Sequence, residues 1–336
     1  MMASNSKEQE RTKEMKELEI IWETRLTPKP PFSFEHTVQK DTRFGANWYW
    51  LTPFESYEQG IMRSGFRVPE TQEPVGLLVQ SKGSVNQPSL EIKFFSYHSL
   101  SDFEKQQAMA VLRRSLDAER DIKEFYELSE DYPVLKQAKQ DLYGARIAPL
   151  PDLLSTVMLS IVLQMASEGR TEQMLKLIYN NYGKKLEFDR HEIIVSPLAE
   201  QLRKVSEEDL RTKCKLGYRA KYIKGAVSLI AEGNFPNLVN LETISSDDVK
   251  RLLMQIKGIG EFASEVVTPH PSFPVDIWSV KIFCKLFGIS ESRKPREMIS
   301  LVKEYAKKEF GVWQKYVYEY IVNDLENLSE KFGLDL

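Results

Sequence analysis

The spacing of hydrophobic positions changes once along the chain, near residue 97. Before that point, apolar and polar residues alternate or form short apolar runs, at 32–34, 48–51, 76–79 and 90–94. Alternation with a period of two is typical of strands, and the Gly and Pro residues between the runs are typical of turns. The pattern therefore predicts a small antiparallel β-rich domain over residues 30–100. The charge-dense residues 1–29 are expected to be a tail and lead-in.

Beyond Tyr97 the pattern becomes helical and is expected to remain so. Ser101 can cap a helix over 102–116, and a second helix is expected over 118–130. Asp152 then opens an apolar segment, 153–167, whose hydrophobic girth predicts a helix buried on most sides. The fold class is therefore α+β, with a helical region over residues 101–336.

Residues 247–263 predict two helices joined by a glycine hairpin. Ser246 is a plausible N-cap for a helix with apolar Val249 and Leu253, and the pattern stops at Gly258-Ile259-Gly260. Glycine tolerates positive φ, so the chain can reverse there, with Ile259 plugging the space between the helices. The second helix, from about Glu261, would direct unpaired N–H groups outward, where they could seat a phosphate.

A Pro-Val-Asp run at residues 274–276 follows the hairpin. The hairpin and this run, in this order and spacing, resemble the helix-hairpin-helix–Gly/Pro–Asp (HhH-GPD) superfamily of base-excision DNA glycosylases. The resemblance implies an active-site cleft between two helical subdomains. It extends to the 3-methyladenine and 8-oxoguanine branches, both of which carry a β-rich N-terminal domain.

Asp276 is the candidate catalytic residue. Cleavage of an N-glycosidic bond builds positive charge on the deoxyribose, and a fixed carboxylate stabilises that charge more than the neutral ground state. An isolated Asp in this setting would more often be a helix cap. The hairpin at the family spacing favours the catalytic role.

Phe262 decides the subclass. The resemblance implies that members with strand-cleaving lyase activity hold a lysine here, whereas an aromatic residue in the 3-methyladenine branch stacks on the flipped base. We therefore expect a monofunctional enzyme acting on alkylated or labilised purines. The base pocket is predicted to contain Phe262, Gln164 and Trp278. Core packing is the alternative for Phe262.

The predicted DNA contacts come from several segments. Ile161-Val162-Leu163-Gln164 resembles a family run that ends beside DNA, and the following Met165 would wedge into the duplex where the base has left. Its alternative is to continue the core. The remaining predicted contacts are Arg219, Lys221, Gly258, Ile259, Gly260 and Lys281. Residues 203–224 are rich in lysine and arginine, although a solvated helix face would look the same.

No cofactor is required by any motif. By resemblance, the hairpin could hold one monovalent cation through the backbone carbonyls of Met254, Ile256 and Gly258. The only two cysteines, Cys214 and Cys284, cannot build the four-cysteine iron–sulfur cluster of some superfamily members. The scattered histidines show no metal-ligand spacing.

Composition is ordinary for a globular protein, with 42% hydrophobic and 28% charged residues and a net charge of −3. No apolar run is long enough to span a membrane. We expect an intracellular, monomeric protein whose partner is double-stranded DNA with a damaged base. Two alternatives stay open: an 8-oxoguanine-type glycosylase with AP-lyase activity, and a non-catalytic hairpin protein that only binds DNA. The missing lysine argues against the first, and the retained Pro-Val-Asp run against the second.

Overall fold

An antiparallel sheet forms the N-terminal part of the computed structural model, which describes residues 17–39, 52–147, 149–233, 235–236, 238–290 and 294–333. Its five strands are arranged in the order β1-β5-β4-β3-β2. The strands are β1 (Ile20–Leu26), β2 (Ser56–Glu58), β3 (Ile61–Arg67), β4 (Pro74–Ser81) and β5 (Leu90–Phe95). The α+β class with an N-terminal antiparallel sheet is therefore confirmed.

A second hairpin lies within the region predicted to be helical. Strands β6 (Lys184–Phe188) and β7 (His191–Val195) pair with each other and pack on the five-stranded sheet through Phe188 and Val195. Gly65 allows β7 to lie close to β3, because a Cβ at Gly65 would lie only 2.7 Å from Val195 Cγ1. The expectation that the chain stays helical after Tyr97 is wrong for this segment.

The sequence pattern also misplaced details of the N-terminal domain. Phe32-Ser33-Phe34 is not a strand, because the Ser33 hydroxyl accepts from the His36 N–H at 3.2 Å and caps a short helix, α1 (Phe34–Val38). Strand β1 lies inside the predicted lead-in, 1–29. The apolar run at 48–51 lies outside the described residues.

The remaining described helices follow in chain order. They are α2 (Asp102–Ser115), α3 (Lys123–Ser129), α4 (Pro133–Asp141), α5 (Leu153–Val162), α6 (Glu168–Tyr182), α7 (Ala199–Lys204), α8 (Glu207–Lys213), α9 (Arg219–Ala231), α10 (Leu238–Glu242), α11 (Ser246–Gln255), α12 (Glu261–Val267), α13 (Val280–Phe287), α14 (Pro295–Phe310), α15 (Gln314–Asn323) and α16 (Leu325–Phe332). A 3₁₀ turn, Gly311–Trp313, joins α14 to α15. Ser101 and Asp152 cap α2 and α5 as predicted.

Buried apolar side chains divide these helices into two subdomains. The central subdomain has its core between residues 153 and 267, with α5 surrounded by α6, α9 and α12. The C-terminal subdomain combines residues 122–145 with residues 273–328. Helix α2 instead packs on the sheet. The hairpin therefore belongs to the central subdomain, and the segment around Asp276 belongs to the C-terminal one.

Among the described helices, none combines the length and the apolar character that a membrane span requires.

Candidate active site

The predicted hairpin joins α11 to α12. Helix α11 begins one residue earlier than expected, because Ser245 rather than Ser246 is its N-cap. Gly258 has a φ of +101°, which allows the chain to reverse. Ile259 is 5% exposed, packs in the central core, and donates its N–H to the Ile256 oxygen at 2.9 Å. The plug role of Ile259 is therefore confirmed.

The start of α12 is open to solvent at the second glycine. Gly260 is exposed and is the N-cap of α12, which begins at Glu261 as expected. The N–H groups of Gly260, Glu261 and Phe262 have no hydrogen-bond acceptor among the described residues. Unpaired N–H groups at a helix start attract anions, which is compatible with the predicted DNA-backbone contact.

Gln164 links the end of α5 to the hairpin. Its Nε2 donates to the Gly258 oxygen at 2.6 Å, a contact that the sequence could not reveal. Helix α5 ends at Val162, earlier than predicted, and Met165 adopts a φ of +49°. The Met165 side chain is 96% exposed, so it does not continue the core.

Arg219 lies in a different environment from the one predicted. Its side chain is buried, and its guanidinium donates to the Gln164 backbone oxygen and stacks 4.6 Å from the Tyr218 ring centroid. The Arg219 guanidinium therefore faces the protein interior and does not face a phosphate in solvent. Tyr218, which the sequence reasoning missed as a site residue, is 47% exposed and donates its hydroxyl to the same Gln164 oxygen at 3.4 Å. Lys221 is exposed, with Nζ 5.0 Å from the Tyr222 ring centroid.

The Pro-Val-Asp run holds Asp276 by one oxygen. Asp276 Oδ1 accepts hydrogen bonds from Trp278 N at 3.1 Å, Ser279 N at 2.8 Å and Ser279 Oγ at 2.8 Å. Oδ2 has no hydrogen-bond donor among the described residues. Asp276 thus caps a turn, and α13 starts four residues later, at Val280. Capping fixes the carboxylate and leaves one oxygen available, so both roles weighed for Asp276 are compatible.

Buried side chains of the C-terminal subdomain surround the segment that carries Asp276. Phe273 and Val275 are buried in its core and anchor the run. Burial raises the pKa of the Tyr318 phenol, and the neighbouring carboxylates of Glu319 and Asp276 raise it further. Tyr318 therefore stays neutral beside the Asp276 carboxylate at physiological pH.

The other predicted site residues are accessible to different degrees. Phe262 is half-buried on the first turn of α12 and belongs to none of the four apolar clusters of the described residues. Trp278 is 47% exposed, and Lys281 is exposed. A half-buried aromatic outside the core is what a pocket wall requires, so the structure weakens the core-packing alternative for Phe262.

Two of the three carbonyls predicted to hold a cation already accept a hydrogen bond. Ile256 O accepts from Ile259 N, and Gly258 O accepts from Gln164 Nε2, while Met254 is half-exposed at the end of α11. Each hydrogen-bonded carbonyl keeps a second lone pair. The carbonyl set is therefore compatible with a monovalent cation without requiring one, and the cation stays a prediction.

Several basic side chains of segment 203–224 already have partners within the protein. Lys213 pairs with Asp209 at 2.8 Å, Arg211 pairs with Glu207, and Lys224 donates to the Val205 oxygen at 2.5 Å. These contacts follow from helical spacing and capping, which compete with phosphate contacts for the same charges.

A cavity of about 280 Å³ lies between α1, α4 and the α15–α16 junction. Its walls include Arg146, Glu319 and Asp324 but none of the residues predicted for the base pocket. This cavity is therefore not the predicted base pocket.

No protein-family model matches this chain. A relative, the DNA-3-methyladenine glycosylase of Bacillus subtilis (strain 168), is 23% identical over 247 residues, which cover 70% of this chain and 78% of that protein. The 3-methyladenine DNA glycosylase of Archaeoglobus fulgidus has a similar structure, with a TM-score of 0.73 and 18% identity over 93% of this chain and all of that one.

A second solved structure is the Clostridium acetobutylicum 8-oxoguanine glycosylase/lyase, in complex with double-stranded DNA containing cytosine opposite 8-oxoG. It matches with a TM-score of 0.68 and 18% identity, over 92% of this chain and 99% of that one. These likenesses confirm the resemblance drawn from the hairpin and the Pro-Val-Asp run. In sequence, this chain is similar to a DNA-3-methyladenine glycosylase. In fold, it is similar to 3-methyladenine and 8-oxoguanine DNA glycosylases, in agreement with the resemblance to the HhH-GPD superfamily.

Proposed function

We propose that this protein is a monofunctional DNA glycosylase of base-excision repair, acting as a monomer inside the cell on alkylated or otherwise labilised purines in duplex DNA. The observation that carries the proposal is the fixed carboxylate of Asp276, which is held by three donors through Oδ1 and is free at Oδ2. A charge that is already oriented needs no reorganisation as the reaction proceeds.

The reaction breaks the C1′–N bond, and the bonding electron pair leaves with the base. Positive charge then develops on the deoxyribose, where the Asp276 carboxylate stabilises it. A water molecule adds its oxygen to C1′ and loses a proton, which gives an abasic site. A purine that already carries positive charge is the better leaving group, so the mechanism suits alkylated bases.

Met165 supports a base-flipping step. A methionine that is 96% exposed at a positive φ is held out by the backbone, not by packing. Because the Gln164 backbone and side chain are bonded to Arg219 and to the hairpin, Met165 has a fixed base from which to enter the duplex. An apolar wedge fills the space that the flipped base leaves.

Phe262 supports the monofunctional assignment. A lyase needs an amine that attacks the sugar. The two lysines in contact with α12 carboxylates are both engaged, since Lys250 lies 3.1 Å and Lys303 lies 3.3 Å from Glu261 Oε1. Phe262 instead offers an aromatic face to a flipped base.

The alternative of an 8-oxoguanine-type glycosylase with lyase activity follows from the fold shared with the Clostridium enzyme. One experiment separates the readings: excision assays across a panel of lesion-bearing duplexes, with and without alkali, plus borohydride trapping. We expect strand breaks only after alkali and no trapped complex. A borohydride-dependent complex that one lysine substitution abolishes would establish the lyase. Binding with no excision of any lesion would establish the non-catalytic reading.

A further inference from the structure

Helix α12 is held at both ends by lysines of the other subdomain. Lys303 of α14 places Nζ 2.9 Å from Glu265 Oε1 and 3.3 Å from Glu261 Oε1. Lys315 of α15 donates to the oxygen of Thr268, the C-cap of α12, at 2.9 Å. Three carboxylate or carbonyl contacts therefore join the two helical subdomains along one short helix.

The Lys303 contact is sheltered from water. The side chains of Lys303 and Glu265 are only 20% and 14% exposed. Burial raises the pKa of Glu265, and the Lys303 charge opposes that rise. The second oxygen, Oε2, is buried and has no hydrogen-bond partner among the described residues. Glu265 therefore depends on its lysine partners, Lys303 at 2.9 Å and Lys250 at 3.9 Å, since an unpaired buried charge is costly.

The Glu261 contact belongs to the same cluster. Hydrogen bonding to Lys250 and the charge of Lys303 lower the pKa of Glu261. Lys250 lies on α11, so this cluster connects both helices of the hairpin motif to α14. The cluster lies beside Phe262, which follows Glu261 in the chain.

The two halves of the candidate site lie on opposite sides of these contacts. Helix α12, which carries Phe262, and the hairpin belong to the central subdomain, whereas the segment that holds Asp276 is anchored in the C-terminal core. We propose that Lys303 and Lys315 are positioning residues, which fix α12 against the C-terminal subdomain and so set the geometry between Phe262 and Asp276. This inference rests on the proposed glycosylase function. A misplacement of about 1 Å can cost about 10²-fold in rate.

The test compares Lys303→Met with Lys303→Arg, which restores the charge. Lys308→Met is the matched control, because Lys308 lies on the same helix and is 83% exposed. The readouts are the single-turnover excision constant at saturating enzyme, the affinity for undamaged duplex, and the melting temperature. We expect Lys303→Met to lose about tenfold or more in excision with unchanged duplex affinity. Lys303→Arg should recover most of the rate, and Lys308→Met should match the wild type.

Lys315→Met tests the other end of α12 if Lys303→Met does not fold, and the same loss of excision is expected. Excision at the wild-type rate by a folded Lys303→Met or Lys315→Met protein would overturn the proposal. An equal loss in undamaged-duplex affinity would also overturn it, because that result assigns the lysine to a phosphate contact. A wild-type protein that excises no lesion is a separate outcome, which contradicts the proposed function instead.

Discussion

Gln164 donates its side-chain amide to the backbone oxygen of Gly258 at 2.6 Å. This bond connects the residue before the exposed Met165 to the first glycine of the hairpin. Met165 and the hairpin therefore belong to one hydrogen-bonded unit, although they are far apart in sequence.

The first prediction is that Gln164→Leu weakens this unit. Gly258 O loses its side-chain donor, and one hydrogen bond contributes about 0.5–1.5 kcal/mol net, so duplex affinity should fall about two- to tenfold. Titration of a fluorescent duplex measures the effect. Gln106→Leu, an exposed glutamine of α2, is the control and should bind as the wild type does. An unchanged affinity for Gln164→Leu would show that the bond does not matter for binding.

The two hairpin glycines should respond differently to alanine. At Gly258 a Cβ would lie 2.6 Å from the Tyr222 ring at a φ of +101°, so Gly258→Ala should lower the free energy of unfolding by about 1–3 kcal/mol. At Gly260 nothing lies within 4 Å of the added Cβ, so Gly260→Ala should keep its stability. Its methyl group would still face the DNA, so affinity should fall alike for all sequences. Denaturant titrations and binding to unrelated duplexes check both variants, and equal stability losses would contradict this explanation.

Local patterns were sufficient to predict the glycine hairpin and the burial of Ile259 within it. Each depends on residues that are neighbours in the chain, where spacing and glycine chemistry determine the backbone. The caps Ser101 and Asp152 were predictable for the same reason. The overall α+β class follows from the change of period near residue 97.

Contacts between distant segments could not be predicted. The sequence indicates that Arg219 is a surface cation. In the structure its guanidinium is buried and donates a hydrogen bond to the backbone oxygen of Gln164. Strands β6 and β7 were missed because the periodicity of a short apolar run does not distinguish a strand from a buried helix. Their packing on the five-stranded sheet identifies them as strands, and that packing is not visible in the sequence. Lys303 gave no signal, since its carboxylate partners lie about forty residues away in the chain.

Met165→Ala should separate flipping from chemistry. The side chain is 96% exposed, so stability should not change. Flipping a base costs a few kcal/mol of stacking free energy, and without the Met165 side chain part of this cost is no longer offset. Excision from duplex DNA should therefore fall about tenfold or more. Excision of the same lesion from single-stranded DNA should stay near the wild-type rate. Equal losses on both substrates would contradict the wedge role.

Phe262→Ala tests the pocket wall. Stacking of a base on an aromatic side chain contributes about 1–3 kcal/mol, so single-turnover excision of planar, electron-poor bases should fall about 5- to 150-fold. Affinity for undamaged duplex should be retained, because an unflipped base does not reach the pocket. A parallel loss of undamaged-duplex binding, or early melting of the variant, would favour core packing instead.

The most direct test of the central claim is the single-turnover excision rate of Asp276→Asn on the lesion that the wild type excises best. The Asn side-chain oxygen can still accept from Trp278 N and Ser279 N, so the turn is retained while the charge is removed. We predict that duplex affinity stays near wild type and that excision falls by at least about 10²-fold, as when a preorganised transition-state interaction is removed. Excision at the wild-type rate would show that another residue carries the chemistry.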